Sequence, residues 1–166
     1  MPHGSALRRA LAAAIACWCV GTGSADAQKK PSPAAKPRDC TIDASGIDFG
    51  LYDTLNTAPT DATGSVTYSC TQGGGALNVI VTIDRGFAGS FSRQMSNGQD
   101  RLSYNVYLDV GHTQIWGDGS NGTLTLQDKI PGNTKPISVT AYGRLFPRQN
   151  VGSGRFVDGL VVTMQF

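Results

Sequence analysis

The feature that most restricts this chain is a two-residue hydrophobic period that recurs along its length. In residues 64–70 (GSVTYSC), Val66, Tyr68 and Cys70 share one face and Ser65, Thr67 and Ser69 the other. The same alternation aligns Leu77, Val79, Val81 and Ile83, then Leu102, Tyr104, Val106 and Leu108, and finally Leu160, Val162, Met164 and Phe166. This is the period of strands with one buried face. Outside residues 1–27 no stretch carries a convincing helical period. The chain has 21 glycines and no glutamate, a composition poor in helix formers and suited to strands and turns. Short strands at regular spacing, with turn signals between them, predict a β-sandwich.

The intervening segments fit that plan. Residues 40–44 place Cys40, Ile42 and Ala44 on one face, and a short strand over 47–52 is expected after a turn at Ser45-Gly46. Residues 55–63 read as a polar connection, and Gly73-Gly74-Gly75 as a turn. The Gly/Ser-rich loop 86–99 holds Phe87, Phe91 and Met95, expected to fold back over the sandwich edge. Ile115-Trp116 and the turn 117–119 are expected to begin a hairpin through Leu124 and Leu126, with strands over 137–146 and 155–166 completing the set. If the strands before it form an antiparallel sandwich, the last strand is expected to border a position with no local occupant, and an uncovered apolar edge would invite another chain to pair there. A complete sandwich whose last strand happens to be C-terminal is the alternative.

Residues 1–27 read as an export signal: Arg8 and Arg9 open it, LAAAIACWCV is apolar, and Ala25-Asp26-Ala27 supplies a cleavage pattern. Cleavage between Ala27 and Gln28 is expected, and the apolar run is too short to span a bilayer comfortably. No transmembrane segment is therefore expected in the mature chain. It would retain Cys40 and Cys70, an even number in an exported protein, which reads as one disulfide. Closing that loop contributes roughly 3.5–4 kcal/mol by chain entropy, large beside the ~5–15 kcal/mol stability of a typical domain. Residues 28–39 (QKKPSPAAKPRD) carry three prolines and no β-branched or aromatic residue, and read as a disordered or polyproline-like leader. Residues 40–166 amount to a single domain.

Chemistry is hard to find in this chain. Two thiols and a single mature histidine, His112, do not make a metal site. His112 sits in a Gly-flanked turn (VGHTQI) and reads as a surface turn residue, and there is no nucleophile elbow. The triglycine lacks the Lys-Ser/Thr of a phosphate loop. Asp118-Gly-Ser-Asn-Gly122 faintly suggests a calcium loop, but Lys129 stands where a bidentate Glu is required. Most aspartates lie beside Gly, Ser or Thr at predicted turns. No basic stripe with interleaved aromatics points to nucleic acid. No catalytic residue, metal or cofactor is expected.

Several separated motifs agree on one family. Cys40-Thr41-Ile42, Phe49-Gly50-Leu51-Tyr52-Asp53, the GSVTYSC run, Asp100-Arg101-Leu102-Ser103-Tyr104-Asn105-Val106-Tyr107, Ile115-Trp116-Gly117-Asp118-Gly119 and Tyr142-Gly143-Arg144 with the turn Asn150-Val151-Gly152-Ser153-Gly154 resemble the spore coat protein U domain, the fold of archaic chaperone-usher pilins. The resemblance covers essentially all of residues 40–166. It implies an all-β, incomplete immunoglobulin-like sandwich lacking its final strand, completed by a donor strand from a partner. The implied partners are a periplasmic chaperone, an outer-membrane usher and other pilin subunits, with export through the periplasm to the cell surface, a fimbrium or the medium. Leu160, Val162, Met164 and Phe166 would line part of the acceptor groove.

One departure from the family matters. Pilins that polymerise carry an alternating hydrophobic donor segment before the first cysteine, whereas KKPSPAAKPRD has prolines that cannot donate ladder hydrogen bonds and, apart from these, only alanines as apolar residues. A chain that receives a strand without lending one belongs at the distal end of a fibre. The alternative is a non-polymerising secreted coat or matrix protein that binds surfaces or glycans, through Phe87, Phe91 and Trp116.

Overall fold

The computed structural model describes residues 38–71, 75–131 and 135–166. The expected cleavage site at Ala27 and Gln28, and the leader as far as Pro37, lie outside the described residues. Among the described residues, eight strands form two antiparallel sheets: β1 (Asp39–Ala44), β2 (Thr60–Thr71), β3 (Leu77–Ile83), β4 (Gln94–Ser96), β5 (Arg101–Tyr107), β6 (Leu126–Ile130), β7 (Ile137–Leu145) and β8 (Val162–Gln165). One sheet has the order β1-β2-β7-β5-β4 and the other β6-β3-β8. Asp39, assigned to the leader from its sequence, is the first residue of β1, opposite Thr71.

The alternation fixes the register because a one-residue slip would turn every inward side chain outward. Val66, Tyr68 and Cys70 of β2 are buried, as are all four inward residues of β3 and Leu102, Tyr104 and Val106 of β5. Cys40 lies directly opposite Cys70, their Cα atoms 4.1 Å apart, and a disulfide joins them. Trp116 is fully buried, and its Nε1 donates to the Val81 carbonyl at 3.0 Å. Arg93 is buried too. Its guanidinium donates to the carbonyls of Ile83, Asp84 and Trp116 and to Asn105 Oδ1, with the Phe91 ring 5.1 Å away. A buried cation is tolerated when its donors are met, and here they tie together the end of β3, β5 and the Trp116 segment.

Four elements differ from expectation. β2 begins at Thr60, inside the stretch read as a connection, because β7 is long enough to pair with it from Leu145 onward. Residues 47–52 form no ladder with any described residue. Trp116 and Leu124 meet in a parallel bridge, so the 117–123 loop carries the chain from one sheet to the other instead of closing a hairpin. The final strand is confined to Val162–Gln165, since Val157 bridges Ser96 and the Asp84 side chain takes the Val161 N–H. His112 is also not a surface residue: its side chain is 6% exposed. A left-handed backbone (φ 55°) turns the ring back onto the sheet, edge-on to Tyr107 and Tyr142.

Candidate functional site: an open groove beside the last strand

The free edges of the two sheets are not alike. β1 carries Asp39 and Asp43 along its outer edge, and β6 carries Asp128 and Lys129. Charged residues on an edge discourage pairing with another chain. β4 (QMS) lacks charge as well but is bridged to Val157 through Ser96, and β8 reads VTMQ, with neither charge nor proline. Among the described residues it pairs with β3 alone. Asp84 N–H donates to the Val161 carbonyl at 3.0 Å, which puts Val161, Thr163 and Gln165 in the positions that bond β3. The backbone groups of Val162 and Met164 therefore face away from it.

Beside this edge lies an open groove of about 1360 Å³. That exceeds the roughly 300–1,000 Å³ of a small-molecule pocket. Residues 151–160 and Val162 form one wall and residues 44–54 the other, while Val66, Ile83, Leu102, Val106, Ala141 and Leu145 reach it from the core. Of the four residues expected on the acceptor face, Leu160 and Val162 line the groove. Met164 packs against the core outside the groove, and Phe166, beyond the end of the ladder, is 56% exposed.

The opposite wall contributes side chains that alternation alone does not assign to the groove. Ile47 and Phe49 pack against the core where two strands carry glycine. A Cβ at Gly143 would stand 2.7 Å from Phe49 Cζ and 2.8 Å from Ile47 Cγ2, and one at Gly64 would stand 2.9 Å from Ile47 Cγ1. The missing side chains make room for the wall to lie on the sheet. Phe49 meets the Tyr104 ring edge-on at 5.9 Å. The wall is fixed at both ends: Ser45 exchanges hydrogen bonds with Ser65, and the Tyr52 hydroxyl donates to the Phe146 carbonyl and accepts the Gln149 N–H, both at 2.9 Å.

Among the polar residues of the groove, Asp158 has its partners in place. Asp158 accepts the Tyr104 hydroxyl at 2.8 Å and the Phe87 N–H at 2.9 Å. Burial, reinforced by this carboxylate, pushes the Tyr104 phenol far above its ordinary value, so it remains a donor at any physiological pH. No cluster of metal-binding side chains occurs among the described residues. Of the three aromatics weighed for surface binding, Trp116 and Phe91 are buried and Phe87 is 64% exposed.

Two antiparallel sheets, with a groove that opens at Val162 of an uncharged edge strand, make an immunoglobulin-like arrangement. The chain belongs to the Spore Coat Protein U domain family, whose profile matches residues 26–163. It is 34% identical over 134 residues to Protein U of Myxococcus xanthus, covering 72% of this chain and 71% of that protein. Its fold is similar to one in the crystal structure of the CsuC-CsuE chaperone-tip adhesion subunit pre-assembly complex from archaic chaperone-usher Csu pili of Acinetobacter baumannii, with a TM-score of 0.53 and 16% identity. That likeness covers 78% of this chain and 40% of the other.

Proposed function

We propose that this protein is a structural or minor subunit of a chaperone-usher surface fibre, and that its groove accepts a strand from another molecule. The observation that carries the reading is the unprotected edge of β8 alongside a groove lined by core side chains. An incoming strand would satisfy the outward backbone groups of Val162 and Met164 while its alternate side chains fill the groove. Burying four or five apolar side chains contributes roughly 6–15 kcal/mol before ordering entropy is deducted. That rivals the stability of a whole domain.

The donors would be a periplasmic chaperone in transit and then a neighbouring subunit delivered at an outer-membrane usher, with the fibre serving adhesion or biofilm formation. The Cys40–Cys70 disulfide suits an oxidising, exported setting. The proline-bearing composition of residues 28–39 is poorly suited to lending a strand, which favours a terminal position. The alternative, a non-polymerising coat protein binding surfaces through its aromatics, is weakened because Trp116 and Phe91 are buried.

The test is a thermal melt with and without a short, end-capped peptide of alternating valine and threonine, with hydrogen exchange read at β8. A sharp rise in melting temperature with protection of the Val162 and Met164 amides is expected. Unchanged melting and exchange would remove the groove as an acceptor.

A further inference from the structure

Ile47, Phe49 and Leu51 stand two residues apart, the spacing that places three side chains on one face of an extended segment. Only two are there. Ile47 and Phe49 pack into the core, whereas Leu51 is 99% exposed, the most exposed of the protein's large apolar side chains among the described residues. The break lies at Gly50, whose φ of 66° is left-handed and whose N–H is held by Asp48 Oδ1 at 2.9 Å. Glycine populates this conformation and the extended one about equally well. Nothing lies within 4 Å of where a Cβ on Gly50 would be. The bends on either side are fixed, at Ser45 by Ser65 and at Tyr52 by Phe146 and Gln149. One residue between two anchored points thus decides where a leucine on the groove wall points.

We infer that residues 47–52 are a strap that closes on a guest strand: Gly50 passes from the left-handed to the extended conformation, and Leu51 turns from solvent onto the inserted chain. The inference rests on the groove being a strand acceptor. It explains why a segment with strand periodicity makes no ladder. Its neighbour in the sheet would be the guest, and without one the extended form leaves backbone groups unpaired and gains nothing for Leu51. The Asp48 hydrogen bond supplies the local alternative that holds the open form.

Hydroxyl-radical footprinting reads this directly on the unaltered protein, using the same valine/threonine peptide. Leu55, 85% exposed and outside the groove wall, serves as the internal reference. With peptide bound and the β8 amides protected, labelling of Leu51 should fall severalfold while Leu55 is unchanged. Equal labelling of Leu51 with β8 protected overturns the strap and leaves the acceptor groove standing. No protection of β8 at all overturns both. Two variants approach the same point through the peptide dependence. Gly50→Val makes the left-handed form unfavourable for a β-branched residue, and Asp48→Ala removes its hydrogen bond; both should bring on the fall in Leu51 labelling at severalfold lower peptide concentration. A folded Asp48→Ala protein in which β8 is protected at the wild-type peptide concentration and Leu51 labelling does not change would refute the switch.

Discussion

The Tyr104 hydroxyl donates to Asp158 Oδ2 at 2.8 Å, joining the buried face of β5 to the segment that leads into β8. The other oxygen of Asp158 accepts the Phe87 N–H, so one carboxylate positions the groove wall against the core. Tyr104→Phe should cost about 1.5–3 kcal/mol, the range for a hydrogen bond to a charged group. Asp158→Ala should cost at least as much, since it leaves a buried phenol without an acceptor. Denaturant unfolding of the two single variants and the double variant checks this. Additive losses would mean that the pair does not act as a unit.

Gly143 and Phe49 offer a second test, because the glycine is defined by what occupies its missing side chain. Gly143→Ala places a Cβ where Phe49 Cζ and Ile47 Cγ2 sit, and should destabilise by about 1–3 kcal/mol through overpacking. In a Phe49→Ala background the same change should cost clearly less. Equal costs in the two backgrounds would show that the wall does not rest on this glycine.

On the outer face of the five-stranded sheet, Arg144 grips both oxygens of Asp61 at 2.7 Å. That hydrogen bonding holds the Asp61 carboxyl below its ordinary value of 3.8. A depressed folded-state value means that the contribution is fully present above the unfolded carboxylate range and is lost as pH falls through the folded value. Since Asp61 is 45% exposed, solvent screening limits the effect to about 1 kcal/mol or less. Stability measured from pH 6 down to about pH 2 should fall less steeply in Arg144→Gln than in the wild type. Parallel profiles would mean that the pair is not coupled to folding.

Replacing Cys40 and Cys70 together by alanine should cost roughly 3–4 kcal/mol. The loss should be equal in wild-type protein under reducing conditions. A much smaller loss by chemical denaturation would indicate that β1 is held by its ladder to β2 without the covalent link.

The strands legible in the sequence were those with both an alternating pattern and a neighbour: Val66, Tyr68 and Cys70, and the β3 residues from Leu77 to Ile83, are buried as the period requires. Where the structure departs, periodicity was reporting a face without reporting a partner. Ile47 and Phe49 do turn inward, yet no strand forms, because pairing is a property of the neighbour. Gly50 then reverses Leu51, an effect that a pattern of apolar residues does not encode. His112 and Arg93 were illegible for a related reason. Their burial depends on rings and carbonyls brought together by distant segments, Tyr107 and Tyr142 for one and Ile83, Asp84 and Trp116 for the other. For the groove, the edge at Leu160 and Val162 was visible in the sequence, and the opposing wall was not.

Arg93 marks the part of the molecule that is held by its own groups. By binding carbonyls from β3 and the Trp116 segment along with Asn105, it locks together elements remote in sequence by contacts wholly internal to the chain. That region is tied by groups wholly its own, whereas β8 pairs with β3 alone among the described residues. On the proposed function the first would hold the shape of the subunit while the second waits for a guest strand.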